Sequence, residues 1–302
     1  MSTTLPVQNH TLGFVLAILG TLLFSLKSIF IKLLYQQGLD ASTVLVVRMA
    51  LALPIYIVIL TITLNYRTKT ELSPKTVGCV FLIGFLGYYL ASLLDLMGLE
   101  LVSAQLERLS LFTYPFLVAI LGLVFFKEPI TRKLLIAMLT SYSGLWVVMG
   151  QELQLTDNNV VQGVSLVLGS ALSYACYVLL SRPWIKRLTG LVFTSLAMIS
   201  SSIFGLLHGV IVIDWTLVSL TSTAWLWLFM LVIFSTVIPS FMISEAIHRI
   251  GPAQTGVVGM LGPVITIGLA VYLLAEPFTP EIALGVALVI IGVMSLILKK
   301  VF

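Results

Sequence analysis

Five charged side chains sit where an apolar chain can least afford them. Lys27, Arg48, Asp95, Glu107 and Arg108 all fall inside stretches dominated by Leu, Val, Ile, Phe and Ala. A charge at the centre of a bilayer costs about 2.5–3.5 kcal/mol on insertion scales, so it persists where it meets a partner, water or a ligand. Three cations against two acids leave one positive charge over. That surplus suits an anionic group such as the carboxylate of an amino acid or organic acid. Lys27 is the deepest cation and the foremost substrate-binding candidate. Arg48 either binds substrate or pairs internally with Glu107 or Asp95. Glu107 and Arg108 are neighbours, so about 100° separates them on a helix and they serve different partners. Asp95 and Glu107 are the candidates for proton coupling. Lys32, closer to a span end, reads as a snorkelling lysine. Tyr88, Tyr89, Tyr174 and Tyr177, with Phe24, lie near mid-span and could shape a pocket. His208 reads as a satisfied polar residue between helices.

The elements that carry these residues are membrane spans. Hydrophobic residues make up 59% of the 302 residues and charged ones 9%, against about 25% charged in an ordinary soluble domain. A helix needs about 20 apolar residues to cross the hydrocarbon core. On that basis ten spans are expected, at 11–34, 42–64, 76–97, 102–125, 133–150, 160–181, 191–213, 223–246, 252–274 and 281–298. Turn residues such as Gly38-Leu39-Asp40, Ser73-Pro74-Lys75 and Gly251-Pro252 punctuate them, and Trp184, Trp215, Trp225 and Trp227 stand near span ends. The first stretch reads as a span and not a removable leader. The expected class is an all-α integral membrane protein.

Basic residues orient the spans. With the N-terminus cytoplasmic, Arg67, Lys69, Lys75, Lys127, Arg132, Lys133, Arg182, Lys186, Arg187, Arg249, Lys299 and Lys300 share one side, which is twelve of the sixteen Lys and Arg. The opposite connections carry none. This bias places both termini in the cytoplasm, and it explains the pI near 9.1 without nucleic acid. All the in-span charges then fall in the outer half, which suggests a hydrated vestibule above a more apolar inner gate.

The chain also repeats itself. Pro115, Leu121, Glu128, Pro129, Thr131 and Gly144 recur 148 residues later as Pro263, Leu269, Glu276, Pro277, Thr279 and Gly292. An offset of 150 links Gly13 to Gly163 and Lys32 to Arg182. Five spans per half is an odd number, so the halves, 1–150 and 151–302, are expected to be inverted. The first Glu-Pro copy is flanked by Lys127, Arg132 and Lys133, whereas Ala275, Pro280 and Glu281 replace them in the second. Glu128 and Glu276 are placed at the membrane surfaces, where they would cap and orient helices.

These features resemble the drug/metabolite transporter superfamily in its ten-span EamA-type form, whose repeats each end in a Pro, a Glu and a Gly-containing final span. Here those are Pro115, Glu128 and Gly144, then Pro263, Glu276 and Gly292; Arg48 matches the family's Arg early in the second helix. The resemblance implies a central cavity lined by spans 1, 3, 4, 6, 8 and 9. Its members export amino acids and other metabolites, or exchange nucleotide sugars and phosphates. The small multidrug-resistance relatives carry an acid in the first span; Lys27 stands here without one, which argues against a lipophilic-cation pump.

The expected function is a secondary transporter exporting amino acids or similar small metabolites by alternating access, with exchange or import of larger anions, or a channel, as alternatives. No Gly-x-Ser-x-Gly, His-Glu-x-x-His or paired intramembrane aspartates point to catalysis, and no Walker-type phosphate loop points to a primary pump. Cys79 and Cys176 read as buried thiols, and His10, His208 and His248 are too scattered for a metal site. No cofactor is expected. The expected partners are the bilayer and a small-molecule substrate, with the chain a monomer or, alternatively, a dimer.

Overall fold

The computed structural model describes residues 10–66, 72–127, 132–155, 159–259 and 261–301. Among them the secondary structure is helical: α1 (His10–Gln36), α2 (Ala41–Tyr66), α3 (Pro74–Gly84), α4 (Ala91–Leu101), α5 (Ala104–Leu111), α6 (Tyr114–Phe126), α7 (Arg132–Leu155), α8 (Val160–Leu188), α9 (Gly190–Val212), α10 (Ser222–Val232), α11 (Ile238–Gly259), α12 (Leu261–Leu274) and α13 (Pro280–Val301). Helices are the required solution in lipid, where unpaired backbone groups are too costly. Among the described residues, seven runs are long and apolar enough to span: Thr11–Gln36, Ala41–Asn65, Pro74–Leu101, Ala104–Phe125, Val160–Ser181, Gly190–Val212 and Ser222–Ile243. They coincide with expected spans one to four and six to eight. The remaining expected spans fall on α7, on the end of α11 with α12, and on α13. Leu261–Leu274 and Pro280–Gly292 are apolar but shorter than a full crossing. Of the ten expected spans, length and composition therefore support seven.

Two boundaries differ from expectation. The fourth span is broken in mid-course, because α5 ends at Leu111 and α6 begins at Tyr114 with Pro115 at its start. The Thr113 hydroxyl donates to the Ser110 carbonyl at 2.7 Å there, satisfying a backbone acceptor at the break. In the second half the expected turn at Gly251-Pro252 is helical, and α11 runs on to Gly259. Proline forfeits one backbone donor but its fixed φ is helical, so a helix can pass through it as α2 does at Pro54 and α8 at Pro183.

The 148-residue register extends beyond the residues that are identical. Ser73 caps α3 by accepting from the Thr76 amide at 3.2 Å, and Thr221 caps α10 by accepting from the Ala224 amide at 3.0 Å. A π-helical turn at Phe85–Leu90 is matched by one at Ile233–Val237. Lys127 and Ala275 both take left-handed backbone, at φ 56° and 54°. Glycine contacts repeat too. A Cβ on Gly13 would stand 2.5 Å from Ile250 and 3.0 Å from Arg249; one on Gly163 would stand 2.6 Å from Val102 and 2.9 Å from Leu101. Residues 249 and 250 lie 148 positions after 101 and 102.

α7 and α13 run antiparallel and in close contact. A Cβ on Gly144 would be 2.5 Å from the Gly285 carbonyl oxygen, and one on Gly292 would be 2.7 Å from the Ala137 carbonyl oxygen. Small residues permit such approach between membrane helices. The largest apolar core gathers Ile29, Leu34, Leu45, Met49, Tyr56, Leu96 and Leu228, from the first half and α10. Outward-facing Val210, Ile211 and Tyr272 are at least 80% exposed, as expected of side chains solvated by lipid.

Candidate functional site

The charged residues of four helices converge on one buried site. Lys27 of α1 donates to Asp95 Oδ2 of α4 at 2.5 Å. The Ser28 hydroxyl donates to Glu107 Oε2 of α5 at 2.7 Å. Asp95 and Glu107 are 2% and 0% exposed, and Asp95 Oδ1 and Glu107 Oε1 find no hydrogen-bond partner among the described residues. This places Asp95 with Lys27 and not with Arg48, so neither internal ion pair weighed for Arg48 forms. Arg48 is buried at 3% exposure, and its Nε and Nη2 find no hydrogen-bond partner among the described residues. Arg108 Nε is likewise unpartnered there, and neither guanidinium has a carboxylate within salt-bridge distance among them.

Local structure explains the convergence. Glu107 sits in the first turn of α5, whose start is fixed by the Ser103 hydroxyl accepting from the Leu106 amide at 3.1 Å. Two further carboxylates hold that helix end. Glu276 accepts from the amides of Ala104 and Gln105 at 2.8 and 3.3 Å, and Glu152 accepts from the Ser103 amide and hydroxyl at 2.6 and 2.7 Å. Anionic groups at a helix N-terminus are favoured by its unpaired amides and dipole. Glu276 therefore ties the end of α12 to the start of α5. Glu128 lies outside the described residues.

Thr21, Ser25 and Ser28, spaced four and three apart, form a buried polar stripe on α1. Ser25 donates to the Gly262 carbonyl at 3.2 Å, and the Thr266 hydroxyl donates to the Ser25 carbonyl at 3.2 Å, so α12 walls the site from the second half. A Cβ on Gly262 would lie 3.6 Å from the Arg108 guanidinium. This serine face was readable from the spacing and was missed. Tyr35 and Tyr56 were missed also. Tyr35 donates to the Leu96 carbonyl at 2.8 Å, and Tyr56 shares a 3.1 Å hydrogen bond with Ser240 of α11.

The predicted tyrosines divide. Tyr88 and Tyr177 share a 3.0 Å hydroxyl contact; Tyr174 stacks on Tyr177 at 5.5 Å and meets Tyr114 edge-on at 5.1 Å. Tyr89 turns the other way, to His208 Nδ1 at 3.0 Å, while His208 Nε2 meets the Ser42 hydroxyl at 3.0 Å. Adjacent Tyr88 and Tyr89 thus face α8 and α9 from one π-helical turn. Phe24 of α1 is half-buried and takes no part in these contacts.

Lys32 lines a cavity of about 360 Å³ with Glu100, Ser103, Gln105, Gln151, Glu152 and Pro277, among others. The cavity adjoins the α5 N-terminus that carries Glu107. Lys32 is therefore a cavity residue here and more than a snorkelling side chain. Among the described residues no cluster of three or more His, Cys, Asp or Glu could hold a metal ion.

Ionisable groups buried inside an apolar helical bundle mark a functional site in a membrane protein. The model of the EamA-like transporter family matches the chain twice, over residues 11–150 and 161–298. The chain belongs to this family, within the drug/metabolite transporter superfamily. It is 28% identical over 278 residues to the uncharacterized transporter YcbK of Bacillus subtilis (strain 168), covering 89% of this chain and 88% of that one. It is 25% identical to the uncharacterized transporter YyaM of the same organism, covering 82% and 81%. A crystal structure at 16% identity superposes with a TM-score of 0.69 over 95% of this chain and 96% of the other, which concerns fold alone.

Proposed function

We propose that the protein is a secondary carrier exporting amino acids or similar small metabolites across the cytoplasmic membrane. In this reading two inverted five-helix halves, 1–150 and 151–302, rock around the charged cluster, in a monomer with both termini cytoplasmic. The observation that carries it is the unequal charge of the buried site. Lys27 has Asp95, yet buried Arg48 and half-buried Arg108, whose Nε is inaccessible, have no carboxylate partners among the described residues. Uncompensated buried charge is expensive, and the missing partner is naturally supplied by a substrate anion.

Support for inverted halves comes from the duplicated caps, π-helical turns and left-handed residues, and from the antiparallel pairs Gly144–Gly285 and Ala137–Gly292, which exchange places under the 148-residue shift. Broken helices beside a midplane site are the usual device of such carriers, and the α5–α6 break adjoins this one. The 150-residue register sets Tyr177 opposite Lys27, and the 148-residue register sets Ile243 opposite Asp95 and Thr255 opposite Glu107. One half would thus supply the charges and the other Tyr174 and Tyr177 of the aromatic wall, which Tyr88 of the first half joins on the inner side.

A thermal-shift screen of purified protein against amino acids, organic acids, nucleotides and sugars tests the substrate class. A ligand at about 100 times its Kd stabilises the folded state by about 2.7 kcal/mol. Amino acids are expected to raise Tm. A rise confined to nucleotide sugars or phosphorylated compounds would transfer the assignment to larger anions.

A further inference from the structure

The polar stripe on α1 does not stop at the charged cluster. Lys32 follows Ser28 by four residues, so Thr21, Ser25, Ser28 and Lys32 share one helix face. At 1.5 Å of rise per residue, Lys32 stands about 6 Å further along that face than Ser28. There it enters the cavity of about 360 Å³, a size within the range of about 300–1,000 Å³ usual for small-ligand sites. The cavity lies between α1, the α4–α5 junction, α7 and the α12–α13 connection, and the tyrosines of the central wall do not line it.

The charges of this cavity are not neutralised by one another. Glu152 is committed to the Ser103 amide and hydroxyl. Lys32 has no carboxylate within salt-bridge distance among the described residues. Glu100, exposed at the end of α4, accepts the Ala41 amide with Oε1. One cation and one anion therefore share the cavity without forming a pair. Buried amide oxygens add acceptors. Gln105 is 1% exposed, and its Nε2 donates to the Pro277 carbonyl at 3.0 Å. That bond fixes which end of the amide is the oxygen, and Oε1 is left without a partner among the described residues. Gln151 Oε1 is likewise inaccessible and unpartnered among them. Buried acceptors are nearly always satisfied in folded proteins, so two such oxygens on residues of one cavity point to a donor. A cation, an anion and surplus acceptors suit a zwitterion, whose ammonium brings three donors and no acceptor.

We propose that this cavity is a second substrate station, one helical turn outward from the charged cluster, binding the carboxylate of a free amino acid through Lys32 and its ammonium through Glu100, Gln105 and Gln151. The inference rests on the carrier reading above, which supplies the substrate class and the outward direction. Lys32 is half-buried and Glu100 exposed, whereas Asp95 and Glu107 are nearly inaccessible. Water screens the outer charges more strongly, so this station is the weaker of the two and holds substrate in passage. A substrate moving from Ser28 to Lys32 stays on one face of α1.

Val148 lines the cavity from α7 without supplying a polar group, which makes it the reporter. In full-length protein in detergent, with Cys79 and Cys176 replaced, Val148→Cys should react with a small methanethiosulfonate reagent. Of the twenty amino acids, those carried in counterflow should slow that reaction. Adding Lys32→Met should raise the half-protecting concentration about tenfold or more, the usual weight of one hydrogen bond to a charged group. Lys32→Arg should largely restore it. The decarboxylated amine and the N-acetyl derivative of the same amino acid should each need a similar excess. The station is overturned by protection that Lys32→Met leaves unchanged, by equal protection from either derivative, or by a cysteine that is unreactive or never protected. Counterflow that persists in any of those cases keeps the carrier reading. If no amino acid protects and none undergoes counterflow, the two fall together.

Discussion

Lys27 is the side chain whose loss is most informative. It is 17% exposed and bonded to a nearly inaccessible Asp95, so Lys27→Ala leaves a buried carboxylate without its counter-ion, and Lys27→Met does the same with most of the volume kept. Removing one partner of a buried pair costs about 3–5 kcal/mol. Both variants should therefore lose Tm as well as substrate binding, whereas the double variant Lys27→Met with Asp95→Leu should recover Tm without recovering binding. Recovery of binding would place substrate elsewhere. Glu276→Ala removes the acceptor for two amides at the start of α5 and should cost about 1 kcal/mol, read as a drop in Tm. Much of this site was legible in the sequence, because a charge amid Leu and Val announces itself. The pairing was not. Whether Asp95 meets Lys27 or Arg48 depends on how α1, α2 and α4 pack, which a single sequence does not encode locally. Tyr89 was grouped with Tyr88 for the same reason: the π-helical turn changes the helical phase, and nothing in Phe85–Leu90 signals it.

At the scale of helices, close approach is carried by a few glycines that can be told apart. Gly144 and Gly285 each meet the other's backbone, whereas Gly150, on the same helix as Gly144, has nothing within 4 Å of a would-be Cβ. Gly144→Leu or Gly285→Leu should therefore separate α7 from α13 and destabilise by about 1–3 kcal/mol or more. Gly150→Ala should be neutral or raise Tm slightly, since alanine favours the helix by about 1 kcal/mol over glycine. Equal loss at all three positions would contradict the packing described here. The sequence marked Gly144 and Gly292 as a repeat but not their partners, because Ala137 and Gly285 are not identical across the halves. Helix identity was legible from apolar length; the α5–α6 break was not, since Pro115 in an apolar run also fits a continuous helix.

For the whole molecule, the lysine and arginine map and the duplicated geometry make one prediction about direction. In a background with Cys79 and Cys176 replaced, a cysteine at Asp214, which is exposed, should react with a membrane-impermeant maleimide added to intact cells. A cysteine at Lys75 should react only after permeabilisation. The opposite pattern would reverse the orientation and, with it, the sense of export. The central claim is that the buried charges bind and carry a small substrate, and labelled amino-acid counterflow into proteoliposomes loaded with the same amino acid tests it most directly. Wild-type protein should give saturable accumulation that Lys27→Met lowers at least tenfold. Flux that rises linearly with concentration, or accumulation unaffected by Lys27→Met, would contradict it.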